Sequence, residues 1–157
     1  MGKVNVLYVS NMDTTRVLLA LDPNTDNETA IKAIAEKIKE TEVRYETNYC
    51  DDADYVIVAF GSAARLSDKA IEIAREQGIK VGLFRPITLW PFPTKEIAEL
   101  AKTKKGILVV EINAGQMVQD VLLAVNGAIP VEHYGRLGGI VPEPNEIVEA
   151  LKDKLIK

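Results

Sequence analysis

Two glycine-containing turns carry the residue types that bind anions. Gly61-Ser62-Ala63-Ala64-Arg65 follows a run of β-branched and aromatic residues and opens a helical pattern. At the carboxyl end of a parallel strand, such a turn presents free backbone amides and the positive end of a helix dipole. The Gly-Lys-Ser/Thr of a phosphate loop and the three-glycine spacing of a dinucleotide site are both absent. The plainer reading of Gly61 and Ser62 is a tight turn in which Ser62 caps the helix. Arg136 stands between Gly135 and the pair Gly138-Gly139. Glycines admit close backbone approach, and a guanidinium grips a carboxylate or phosphate. The plainer reading pairs Arg136 with Glu132 or Glu143. A third segment, Glu111-Ile112-Asn113-Ala114-Gly115-Gln116-Met117, gathers polar groups at the end of a strand. A buried Glu111 carboxylate there would suit proton transfer. No second catalytic group accompanies it in sequence, so helix capping and subunit contact are the expectation for Glu111, Asn113, Gln116 and Met117.

The rest of the chemical inventory is narrow. Cys50 is the one cysteine and lies among aspartates, which disfavour the thiolate. With one cysteine and one histidine, His133, the chain has no intrachain disulfide, no cysteine-held iron–sulfur cluster of its own and no site built on two imidazoles. His133 follows a strand and reads as an ordinary core or surface histidine. No catalytic residue and no metal ligand is predicted. Arg85, Trp90 and Phe92 fall in a proline-stiffened apolar stretch, 85–93, of the kind that marks a partner surface.

Composition limits the function further. The 157 residues are 47% hydrophobic and 27% charged, a globular balance. Nineteen basic and 23 acidic residues give a net charge of −4 with no basic stripe, which argues against nucleic acid. No run approaches the roughly 18 apolar residues of a membrane span, and the amino-terminal residues carry no secretory pattern. A cytoplasmic location is the expectation.

These residues require elements to position them. Tyr55-Val56-Ile57-Val58-Ala59-Phe60 reads as a strand buried on both faces, followed by a helix over 64–77 with Gly78 ending it. Lys80-Val81-Gly82-Leu83-Phe84 is a second strand closed by Arg85-Pro86, and Thr94 then caps a helix. Gly106-Ile107-Leu108-Val109-Val110-Glu111-Ile112 is a third strand, with a helix over 115–125. Val131-Glu132-His133-Tyr134 is a short fourth, before a last helix over 144–155. The alternation predicts an α/β fold with a mainly parallel sheet. Ahead of it, 4–9 and 16–21 read as two strands joined at Asn11-Met12-Asp13, a hairpin or an added edge, and 28–42 reads as a helix. The predicted organisation is an unassigned extension over 1–24 and a single α/β domain over 25–157.

Three segments together resemble a known family. They are Val81-Gly82-Leu83-Phe84-Arg85-Pro86-Ile87-Thr88-Leu89-Trp90-Pro91-Phe92-Pro93, then 109–121, then Tyr134-Gly135-Arg136-Leu137-Gly138-Gly139 with Pro142-Glu143-Pro144. Val58-Ala59-Phe60-Gly61-Ser62-Ala63-Ala64-Arg65 fits the same pattern. The chain from about residue 28 onward resembles the carboxyl-terminal domain of the alpha subunit of 2-oxoacid:ferredoxin oxidoreductases, especially the 2-oxoglutarate type. The resemblance implies a three-layer sandwich like the carboxyl-terminal domain of transketolases, used in subunit assembly. It implies a complete enzyme with thiamine diphosphate, Mg2+, iron–sulfur clusters and coenzyme A, none of them bound by this chain. It further implies as partners a thiamine-binding domain, beta and other subunits, and ferredoxin. The Gly-Asp-Gly with downstream Asn that holds magnesium and diphosphate does not occur in these residues, and 1–24 match nothing in the family. An excised portion or one product of a split gene is expected, inactive alone. The alternative is a free-standing flavodoxin-like module that binds a small anion at the strand carboxyl ends.

Overall fold

The computed structural model describes residues 5–10, 16–21 and 26–156, which form two compact units, Met1–Val43 and Arg44–Lys157. In the first unit, β1 (Asn5–Ser10) and β2 (Arg16–Leu21) pair antiparallel, in a register from Asn5 opposite Leu21 to Ser10 opposite Arg16. The two expected strands are there; the Asn11-Met12-Asp13 connection lies outside the described residues. Helix α1 (Asn27–Thr41) belongs to this unit. Asp26 caps it, accepting from Thr29 N at 2.9 Å and Thr29 Oγ1 at 2.8 Å, which satisfies an otherwise unpaired first-turn amide.

The second unit is built on a five-stranded sheet. Its strands are β3 (Tyr45–Asn48), β4 (Tyr55–Ala59), β5 (Val81–Pro86), β6 (Gly106–Glu111) and β7 (Val131–Gly135), in spatial order β3-β5-β4-β6-β7. The four predicted strands are parallel neighbours; β3, which the sequence pattern did not announce, is an antiparallel edge against β5. All four of its residues, Tyr45-Glu46-Thr47-Asn48, are exposed, so no apolar alternation marks it.

Period-two alternation assigns the faces. Ile57, Ala59, Leu108 and Val110 meet α2 (Gly61–Glu76) and α5 (Pro144–Leu151) through Ala64, Ala70, Ile71, Ile147 and Leu151. Val56, Val58, Ile107 and Val109 meet α3 (Thr94–Ala101) and α4 (Met117–Val125) through Ile97, Met117, Val118 and Val121. The result is the expected three-layer α/β sandwich. Each fully buried Ile, Leu or Val contributes roughly 1.5–3 kcal/mol. Gly78 ends α2 as predicted, at φ 81°, with Ile79 N donating to Ala74 O at 3.0 Å. Thr94 is not the cap expected of it: Pro93 holds the cap position of α3 and no side chain caps it.

One close approach holds the β3–β4 connection down on β5. A Cβ on Gly82 would lie 2.8 Å from Tyr49 O and 2.9 Å from Cys50 Cα, both backbone atoms. Arg75 clamps the same crossing, donating from Nε to Val81 O and from Nη2 to Tyr49 O, and pairing with Asp52. Gly82→Ala is therefore expected to lower the stability of the sheet unit by about 1–3 kcal/mol, the cost of overpacking a filled interior, measured by urea unfolding. An unchanged midpoint would show that the crossing has room to give.

Candidate functional site

The parallel strands β4, β5, β6 and β7 all end on one edge of the sheet, and the turns singled out in the sequence follow them. Parity places Glu111 on the same face as Ile107 and Val109, directly ahead of α4. Its carboxylate is fully buried and acts as a cap from outside the helix: Oε1 accepts from Met117 N at 2.6 Å and Oε2 from Gln116 N at 2.9 Å. These charge-assisted bonds satisfy two amides at the positive end of the α4 dipole. Asn113 completes the turn, its Oδ1 accepting from Gly115 N at 2.7 Å and Gln116 N at 3.3 Å. Met117 is buried under this turn, whereas Gln116 is exposed and Asn113 half-buried. The helix expected over 115–125 begins at Met117, and the carboxylate takes amides that have no acceptor within the helix.

His133, read from sequence as unremarkable, stands in register with Val109 on the same face as Glu111. Its Nε2 lies 3.6 Å from Glu111 Oε2 and is buried without a hydrogen-bond partner. Gly135 makes room for it: a Cβ there would sit 2.5 Å from Asn113 O and 2.6 Å from His133 Cε1. Arg136 N donates to Glu111 O at 3.3 Å, which ties the β7 loop to the same cluster. Glu111, Asn113, Gln116, Met117, His133 and Gly135 therefore form one connected group.

The Arg136 side chain leaves that group for the other face. It pairs with Glu146 of α5, not with Glu132 or Glu143, and its Nε donates to Tyr134 Oη at 3.3 Å. The Tyr134 hydroxyl and the Glu146 carboxylate beside it raise the Arg136 pKa. The Glu143 backbone amide, with Arg136, lowers that of Glu146, which also closes the capping box at the start of α5. Gly138 and Gly139 follow at φ 74° and 78° with open space around them. At the β4 end, Gly61 adopts φ 55° and Ser62 is exposed inside the first turn of α2. Phe60, not Ser62, is the cap residue, and no side chain closes that helix start. Strand β6 separates β4 from β7, so about 10 Å of sheet lies between the two glycine turns.

The 85–93 stretch divides into inward and outward parts. Trp90 is 59% exposed, and Ile87 and Leu89 are exposed beside it. Phe92 is half-buried against the α3–α4 side of the core. Thr88 anchors the loop, donating to Pro91 O at 2.9 Å and accepting from Arg44 N at 3.0 Å. Arg85 pairs with Glu46 at 3.0 Å. The loop after β7 adds exposed Leu137, Ile140 and Val141.

Among the described residues the donor set does not fit a metal ion or an iron–sulfur cluster. No group of three or more His, Cys, Asp or Glu gathers among the described residues. Cys50 is buried with its Sγ donating to Leu83 O, and burial raises its thiol pKa. No helix of the described residues is long and apolar enough to cross a membrane.

Comparison with known proteins follows the same segments. The family "pyruvate:ferredoxin oxidoreductase core domain II" matches residues 53–147, the stretch that holds β4 through the first half of α5. The chain belongs to this family. Among curated relatives, the ketoisovalerate oxidoreductase subunit VorB of Methanothermobacter thermautotrophicus is 44% identical over 117 residues, 74% of this chain and 33% of the relative. The 2-oxoglutarate synthase subunit KorA of Methanothermobacter marburgensis is 33% identical over 128 residues, 80% of this chain and 34% of the relative. The chain thus spans about a third of the length of these relatives. Two solved structures share the fold. A 2-oxoglutarate:ferredoxin oxidoreductase from Magnetococcus marinus superposes at TM-score 0.65 with 22% identity, covering 85% of this chain and 24% of that one. A split-gene transketolase does so at 0.62 with 18% identity, covering 72% and 41%. A core domain II with the transketolase-like sandwich is what the resemblance in the motifs implied.

Proposed function

We propose that this chain is the assembly domain of a thiamine diphosphate-dependent 2-oxoacid:ferredoxin oxidoreductase that works in the cytoplasm, and that it is not catalytic alone. The core domain II match over residues 53–147 carries this reading. In the complete enzyme, a 2-oxoacid loses CO2, its acyl group passes to the coenzyme A thiol, and two electrons leave one at a time for ferredoxin. Thiamine diphosphate with Mg2+ would supply the carbanion chemistry and iron–sulfur clusters the electron path, all on neighbouring domains and subunits.

This chain's own part is to present a rigid contact edge. Trp90 and Arg85, with Asn113 and Gln116 of the α4 turn, would meet the thiamine-binding domain and other subunits. Phe92, Glu111 and Met117 would hold that surface from beneath. Gly61, Ser62, Arg136, Gly138 and Gly139 are the proposed contacts for an anion such as a coenzyme A phosphate. For Arg136, that role requires sharing a guanidinium already engaged by Glu146. Family membership does not favour the free-standing anion-binding module.

Reconstitution tests this. A mixture of this chain with the thiamine-binding and cluster-bearing polypeptides of its source should reduce a viologen dye only when a 2-oxoacid and coenzyme A are both present. Omitting this chain should abolish that activity. Full activity without it would end the proposal.

A further inference from the structure

We propose that His133 and Glu111 form a protonation-controlled latch on the turn that starts α4. The geometry is that of a two-position device. Glu111 Oε2 faces two donors, Gln116 N at 2.9 Å and His133 Nε2 at 3.6 Å. Gln116 N in turn faces two acceptors, Glu111 Oε2 and Asn113 Oδ1, the latter at 3.3 Å. With a neutral imidazole, Oε2 belongs to Gln116 N and His133 Nε2 is left buried without a partner. Protonation makes the buried Nε2–H a cationic donor beside a fully buried carboxylate, a charge-assisted pairing. Oε2 then turns toward His133, Gln116 N passes to Asn113 Oδ1, and Met117 N keeps Oε1.

On this face α3, packed against α4, carries Lys95, Glu96 and Glu99, and no hydrogen bond or ion pair links any of them to Glu111 or His133 among the described residues. Glu111 is the one charged residue of β6, Asp120 is the one charged residue of α4 and is exposed, and the intervening residues 112–116 carry no charge. Glu132 shares the opposite face of β7 with Tyr134 by parity, and the Arg136 guanidinium is held by Glu146. Gly115 and Gly135 flank the ring: a Cβ on either would lie within 3.5 Å of His133 Nε2.

The full chain has one histidine, so its imidazole resonance is unambiguous in an NMR titration. The amides of Gly115, Gln116 and Met117 are expected to shift with the same midpoint as that imidazole. Hydrogen-exchange protection at Gln116, corrected for intrinsic rate, should fall at least about fivefold on the acid side, the low end for linked sites. His133→Gln should keep the fold and remove both effects. Amides that stay still while the imidazole titrates, or that move equally in His133→Gln, would overturn the latch.

Discussion

Replacing Glu111 with alanine is expected to lower the melting temperature of the sheet unit by roughly 10 °C, on the order of 3 kcal/mol. The carboxylate is fully buried and accepts from two amides at the start of α4, one of them the buried Met117 N. Alanine would leave the buried Met117 N without its acceptor, at about 1–3 kcal/mol, and the exposed Gln116 N with only the longer contact to Asn113 Oδ1, at less. Release of a desolvated charge offsets part of that, so the sum stays below the simple total. Glu111→Gln separates the contributions. Its single amide oxygen can serve one donor, so about half the loss is expected. Calorimetry of both variants gives the comparison, and an alanine variant melting within about 2 °C of the parent would remove the cap from the account.

Trp90→Ala should act on association rather than folding. Its side chain is 59% exposed in a loop anchored through Thr88, so its removal should leave the melting temperature almost unchanged. Large aromatic side chains at the centre of an interface contribute 2 kcal/mol or more, which corresponds to about a 30-fold weaker complex. Phe92→Ala is the instructive contrast. That ring packs against the α3–α4 side of the core, so both stability and association should suffer. Binding measured by calorimetry against the thiamine-binding partner distinguishes the two. Equal affinity for parent and Trp90→Ala would move the contact elsewhere on the domain.

How much of this was legible in the residues depended on burial. β4 and β6 were read correctly because Val56-Ile57-Val58 and Ile107-Leu108-Val109 are apolar on both faces, a pattern few other environments produce. Strand β3 was not, since four exposed residues carry no periodic mark, and its pairing with β5 is a tertiary fact. Gly78 was recognised because a left-handed helix end leaves a local signature. The caps of α2 and α3 were misassigned to Ser62 and Thr94, because a side-chain oxygen near a helix start shows only the capacity to cap. The pairing of His133 with Glu111 follows from the parity of two adjacent strands, which is hidden until strand order is known. Arg136 was expected to find a carboxylate nearby in sequence, and it found one a helix start away, at Glu146.

The assembly proposal draws on the exposed apolar residues that follow β5 and β7, Trp90 and Leu137 among them. Family membership is shown by the match over residues 53–147; the assembly role is the step that calls for experiment. The most direct measurement is affinity purification of the tagged chain from its source cells, followed by mass spectrometry and a solution mass. The account predicts a stable complex in which this chain stands in whole-number ratio to a polypeptide carrying the Gly-Asp-Gly thiamine motif. Recovery of the chain as a monomer, with no such polypeptide at any salt concentration, would contradict it.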